Sequence, residues 1–126
     1  MLDFLVKNGN KANDITQVII TEIINNYTNP DFDLENSYKL IPLSKEYIRK
    51  TFINEHGVSP LQFLKQKRIE LAKQLLSKKE HNLRINEIAN SCGFYDAAYF
   101  SRVFKKETGV SPNSFQLTLS SNNKLY

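Results

Sequence analysis

The sequence predicts an all-α fold of about seven helices, and two features carry that expectation. A helix–turn–helix pattern is written twice, and no stretch alternates apolar and polar residues long enough to demand a strand. The segment Phe52-Ile-Asn-Glu55-His-Gly57-Val58-Ser59-Pro60-Leu-Gln-Phe63 returns 52 residues later as Phe104-Lys-Lys-Glu107-Thr-Gly109-Val110-Ser111-Pro112-Asn-Ser-Phe115. Seven of these twelve positions are identical, and the match extends upstream through Tyr47 and Tyr99 and through Lys50 and Arg102. Both copies have the same local meaning. Gly57 and Gly109 suit the left-handed residue just past a helix end, where a Cβ would be strained. Ser59-Pro60 and Ser111-Pro112 read as an N-cap followed by proline at the first helical position.

Taken in chain order, residues 1–14 are polar after a brief apolar start and read as a linker or N-terminal extension. A helix over about 15–27 puts Ile15, Val18, Ile19, Ile23 and Tyr27 on one face, until Asn29-Pro30-Asp31 breaks it. A short helix over about 34–41 and a turn at Pro42-Leu43 follow. Ser44 caps a helix ending near His56. The stretch from Pro60 to Ser77 is long enough for five turns and brings Phe63, Leu64, Ile69, Leu71, Ala72, Leu75 and Leu76 as apolar positions. Residues 85–92 form a short helix, Gly93-Phe94 turns, and Asp96–Thr108 is the counterpart of Ser44–His56. A last helix begins at Pro112 and fades before Ser120. The organisation is then a first subdomain over 15–60, a joining helix over 61–77, a second subdomain over 78–118 and a polar tail over 119–126.

Hydrophobic residues at 40% and charged ones at 24% suit a soluble globular chain. No apolar run approaches the roughly 18 residues that a membrane helix needs. The first residues lack the basic start and apolar stretch of a signal peptide, which predicts a cytoplasmic, nucleoid-associated protein. The single cysteine, Cys92, excludes an internal disulfide and reads as a small core residue. His56 and His81 have no partner at metal-ligand spacing, so neither a metal nor a cofactor is expected. With no phosphate-cradling glycine loop and no His-Cys-carboxylate cluster, an enzyme is excluded. The net charge of +4 is unevenly spread. Residues 1–43 hold three Lys against six acids, whereas the remainder holds 14 basic groups against seven acids, an excess of +7 that suggests a polyanionic partner.

At about 100° per residue, Ser44–His56 turns Ile48 and Phe52 inward and leaves Glu46, Arg49, Lys50 and Ile53 outside. Asp96–Thr108 buries Phe100, Val103 and Phe104 and frees Ala98, Ser101, Arg102 and Lys105. Two short helices with basic outer faces suit the major groove of B-DNA, which is about 12 Å wide and admits one α-helix. Arg102 is the first choice for a base contact, since a guanidinium can bond two acceptors on guanine. Lys45, Lys105 and Lys106 are assigned to phosphates, which supply affinity without sequence information.

The residues over 85–115, with Ile88-Ala89, Gly93-Phe94, Tyr99-Phe100-Ser101-Arg102, Phe104-Lys105-Lys106-Glu107, Gly109 and Ser111-Pro112, resemble the signature of the AraC/XylS family of bacterial transcription regulators. Arg68-Ile-Glu-Leu-Ala72-Lys-Gln-Leu75-Leu76 is similar to that family's central linker helix. The resemblance implies two helix-turn-helix subdomains joined by this long helix, with recognition helices Ser44–His56 and Asp96–Thr108 in successive major-groove segments. It places base-reading positions at Glu46, Arg49 and Lys50 and at Ala97, Ala98, Ser101 and Arg102. Arg68 matches a strong family position and is read as structural, bonding a helix end or a nearby acid. The first unit departs from the pattern: Ser37-Tyr38 replaces a Leu-Ala pair, and Tyr38 should push the helices apart or force another packing. In the second unit Arg84 stands where a small capping residue is usual, and Tyr95 replaces a frequent Ser.

Double-stranded DNA is therefore the expected partner, with RNA polymerase a further candidate and a small-molecule effector implied only if another domain lies upstream. The chain reads either as the C-terminal DNA-binding part of a longer regulator or as a stand-alone short activator of the same family. A helical protein-interaction module is the competing class, distinguished by a weaker dependence of binding on salt.

Overall fold

The computed structural model describes residues 11–78 and 83–124. Within them lie seven helices and no strand: Lys11–Asn26 (α1), Leu34–Tyr38 (α2), Lys45–His56 (α3), Pro60–Ser77 (α4), Ile85–Ser91 (α5), Ala97–Thr108 (α6) and Pro112–Lys124 (α7). No described helix is long and apolar enough to cross a membrane. The chain divides into two compact units, one holding residues 11–26 and 32–64, the other 27–31, 65–78 and 83–124.

In the first unit α1 packs against α2 and α3. Ile15, Ile19 and Ile23 recur at helical spacing and are buried, as are Leu34, Tyr38, Ile41, Ile48, Phe52 and Leu64. Phe52 meets Phe63 edge-on with ring centroids 5.7 Å apart. The helix α1 already includes Lys11, four residues before the apolar stripe begins. The helix α2 stops at Tyr38 rather than near Ile41. Its last amides take tighter bonds, Leu40 N to Ser37 O at 3.1 Å and Ile41 N to Tyr38 O at 3.2 Å. Pro42 fits this ending, because its nitrogen carries no hydrogen to donate to Tyr38 O, the carbonyl four residues back.

The second unit has an aromatic spine. Phe94, Phe100, Phe104 and Phe115 follow one another with centroid separations of 5.2, 5.7 and 5.4 Å. Ile69, Ala72 and Leu76 of α4 and Ile88, Ala89 and Cys92 at α5 close around it. The helix α7 continues through the Ser-Asn stretch to Lys124, beyond its expected fading point. Ser and Asn are weak helix formers but, unlike Pro, do not stop a helix. His81, read as part of a polar turn, and residues 1–10 lie outside the described residues.

Candidate nucleic-acid interface

The same local chemistry presents α3 and α6. At α3 the Ser44 hydroxyl accepts from Tyr47 N at 3.1 Å, and Gly57 ends the helix at φ 79°, donating to Ile53 O at 2.7 Å. At α6 the Asp96 carboxylate accepts from Ala98 N at 2.8 Å, and Gly109 ends it at φ 86°, donating to Lys105 O at 2.7 Å. Ile48 and Phe52 anchor α3, and Phe100, Val103 and Phe104 anchor α6. With one side held, the opposite side is free.

On α3, Glu46, Arg49, Lys50 and Ile53 are all exposed. Lys50 Nζ meets Glu46 Oε1 at 3.2 Å. Lys45 pairs with Glu35 of α2, its ammonium 5.8 Å from the centre of the Tyr38 ring. Ser44, Glu46, Tyr47, Lys50, Thr51 and Asn54 line an open groove of about 750 Å³ on this surface. Tyr47, Thr51 and Asn54 were not among the expected contact residues. The recurrence of Tyr47 as Tyr99 was the available signal for the tyrosine, whereas Thr51 and Asn54 have no counterpart of their own type in the second copy.

On α6, Ala98, Arg102, Lys105 and Lys106 are exposed and Ser101 is half-buried. Ala97 is also half-buried and packs on the core of its unit. The Arg102 guanidinium lies 5.8 Å from the Tyr99 ring centre. A smaller hollow of about 400 Å³ opens here, with Pro30, Tyr95, Tyr99 and Arg102 on its walls.

Behind α6, Arg68 does what a helix-end binder should. Its Nε donates to Tyr27 O at 2.8 Å and its Nη2 to Asn29 O at 3.2 Å, the carbonyls just past the end of α1. Burial pulls the Arg68 pKa down, partly offset by Tyr99. Gly93, at φ 92°, lets the turn before α6 approach this latch: a Cβ there would come within 2.3 Å of Tyr27 O and 2.7 Å of Arg68 Nε. Cys92 is fully buried, and burial pushes its thiol up to about 12. Among the described residues no three His, Cys, Asp or Glu side chains come together as a metal site.

Fold and surface together define a helical domain with two helix-turn-helix units. Residues 39–117 match the family model described as a helix-turn-helix domain, and the chain belongs to that family, in its AraC type. The chain is 36% identical over 94 residues to the HTH-type transcriptional activator RhaR of Cronobacter sakazakii, an alignment covering 75% of this chain and 32% of RhaR. It thus spans about a third of the length of the curated relatives it matches. The C-terminal domain of AraT, a response regulator from Geobacillus stearothermophilus, superposes with a TM-score of 0.74 at 33% identity, covering 82% of this chain and 84% of that one. The DNA-binding domain of AdpA, a global transcriptional factor solved with a target DNA, shares the fold at a TM-score of 0.72 and 22% identity, covering 86% of this chain and 94% of that one.

Proposed function

We propose that the chain binds double-stranded DNA sequence-specifically and regulates transcription in the bacterial cytoplasm. One observation carries the reading: two helices, each capped and stopped by the same devices, each hold a cationic face outward. The kinship with a transcriptional activator and the shared fold with a DNA-bound domain support it. In this reading α3 and α6 serve as recognition helices, each entering a major-groove segment. Two segments on one side of B-DNA recur after about 34 Å. Arg102, Ser101 and Ala98 read bases for α6, with Ala97 at its edge, and Glu46, Arg49 and Lys50 do so for α3. Lys45, Lys105 and Lys106 hold phosphates.

Selection of bound sequences from random duplexes tests this, repeated with Arg102→Ala and Arg49→Ala. A lost bidentate contact should relax the preference at one base pair by about 1–3 kcal/mol. Lys106→Ala should weaken all sequences alike and reduce the slope of log K against log salt by about 0.9. An unchanged motif from Arg102→Ala would remove that residue from base readout. Failure of the chain to retain any duplex at low salt would end the DNA reading.

A further inference from the structure

The repeat sets a tyrosine three positions before a cation in both copies, Tyr47 before Lys50 in α3 and Tyr99 before Arg102 in α6. The two cations end up differently. Lys50 turns back one helical turn to Glu46, at 3.2 Å. The position in α6 that corresponds to Glu46 is Ala98, which has no carboxylate to offer. Arg102 lies over the Tyr99 ring instead, 5.8 Å from its centre. That ring is not isolated. Its centroid stands 6.0 Å from that of the buried Phe94, and the Arg68 guanidinium lies 5.7 Å from the centre of Phe94. Arg68 is in turn fixed by its bonds to Tyr27 O and Asn29 O. A ladder of cation, ring, ring and cation thus runs from the backbone latch to the outer face of α6. Tyr99 remains 43% exposed, so filling the core does not account for it.

We infer that Tyr99 is a positioning residue for base readout by Arg102. The inference rests on the DNA-binding reading above. A ring face attracts the guanidinium charge as a whole, so the contact leaves the planar fork of N–H donors free to meet a guanine edge. It therefore persists when the matched duplex binds. The ring restricts a long, many-rotamer side chain in advance. That lowers the cost of ordering it only where it becomes ordered, in the complex with the matching base pair. At a mismatched pair the fork finds no partner, stays unordered and gains nothing. Tyr99 adds to discrimination at that base pair and leaves the others alone.

Competition binding of the whole chain provides the test. A duplex recovered by selection is set against duplexes altered only at the base pair whose preference Arg102→Ala relaxes. A preference is a ratio measured on one sample, so a partly unfolded variant does not distort it. Tyr99→Leu should lower affinity for the selected duplex by about two- to fivefold and leave the altered duplexes unchanged. Tyr99→Phe keeps the ring and should keep the wild-type preference. Neither variant should change the salt slope, because no charge is removed. In an Arg102→Ala background Tyr99→Leu should cause no further change in preference. A wild-type preference in Tyr99→Leu, an equal weakening of all duplexes, or a loss that persists without Arg102 would overturn the inference. So would a Tyr99→Phe variant as impaired as Tyr99→Leu, which would assign the effect to the hydroxyl. An unchanged preference in Arg102→Ala itself would remove Arg102 from base readout, and this inference would fall with that reading.

Discussion

Where α5 meets the core of the second unit it offers Ile88 and Ala89, and where α2 meets the core of the first it offers Ser37 and Tyr38; all four are buried. The second pair is apolar and needs nothing further. In the first pair the Ser37 hydroxyl donates to Glu22 Oε1 of α1 at 3.1 Å, which satisfies a group that burial would otherwise leave orphaned. The Tyr38 ring is buried in the core of the first unit, with Lys45 beside it. Burial raises its phenol pKa, Arg49 opposes that rise and Glu35 adds to it. Caps, stops and two or three inward apolar residues recur in α3 and α6, while the supporting helix varies in chemistry. The second unit depends on close approach, the first on polar contacts between helices.

That contrast is most directly broken at Gly93. Its positive φ strains any side chain, and the nearest obstacle is a backbone oxygen at 2.3 Å that no rotamer change can move. Gly93→Ala should cost about 3 kcal/mol or more, combining strain with displacement of the Arg68 latch. Gly57 and Gly109 have open space around the would-be Cβ, so alanine there meets only the φ penalty, about 1–2 kcal/mol. Urea denaturation of the three variants measures the difference. Equal losses at Gly93 and Gly109 would show that the close approach is not what holds the second unit.

A smaller effect follows from Cys92. Its thiol is raised from 9.0 to about 12 by burial. A folded state that prefers the protonated form contributes its full stability below pH 9 and loses it as pH climbs through about 12. The loss cannot exceed about 1.4 kcal/mol per pH unit for one group. Tyr38 shifts in the same direction, so the comparison is with Cys92→Ala. The stability difference between wild type and that variant should fall as pH rises above 9 and stay flat below it. A difference independent of pH would mean that the thiol ionises in place.

Much of this arrangement was legible because it is local. Ser44, Asp96, Gly57 and Gly109 mark helix ends by rules spanning four or five residues, and helical spacing singled out Ile48 and Phe52 and the Phe100, Val103 and Phe104 set that the structure buries. What escaped was non-local. Arg68 was legible as a helix-end binder, but its partners at Tyr27 and Asn29 lie 41 and 39 residues away and no periodicity points to them. Asn29-Pro30 read only as a break. The pairing of Lys45 with Glu35 depends on how α2 leans on α3, and Tyr38 at the end of α2 contradicted the usual small residue without revealing where its ring would go. The early end of α2 at Tyr38 was not read either, because Pro42 marks the turn without fixing how many residues before it leave the helix.

The smallest expected effect concerns the entrances of the two supporting helices. Asp33 caps α2, its carboxylate accepting from Glu35 N at 3.0 Å, whereas Arg84 precedes α5 in an extended conformation with no side-chain cap. Arg84 is exposed and places a cation at the positive end of the helix dipole. Arg84→Asp should therefore stabilise the chain by about 0.5–1 kcal/mol, and Asp33→Ala should cost about 1. Thermal or urea unfolding reads both, with duplex affinity followed in parallel because a cation is removed. If Arg84→Asp gains nothing, the backbone bond from Ile88 N to Arg84 O at 3.0 Å, with the packing of Ile88 behind it, already starts α5 without help. The entrances would then differ in chemistry but not in strength, and the contrast between the units would lie in their interiors.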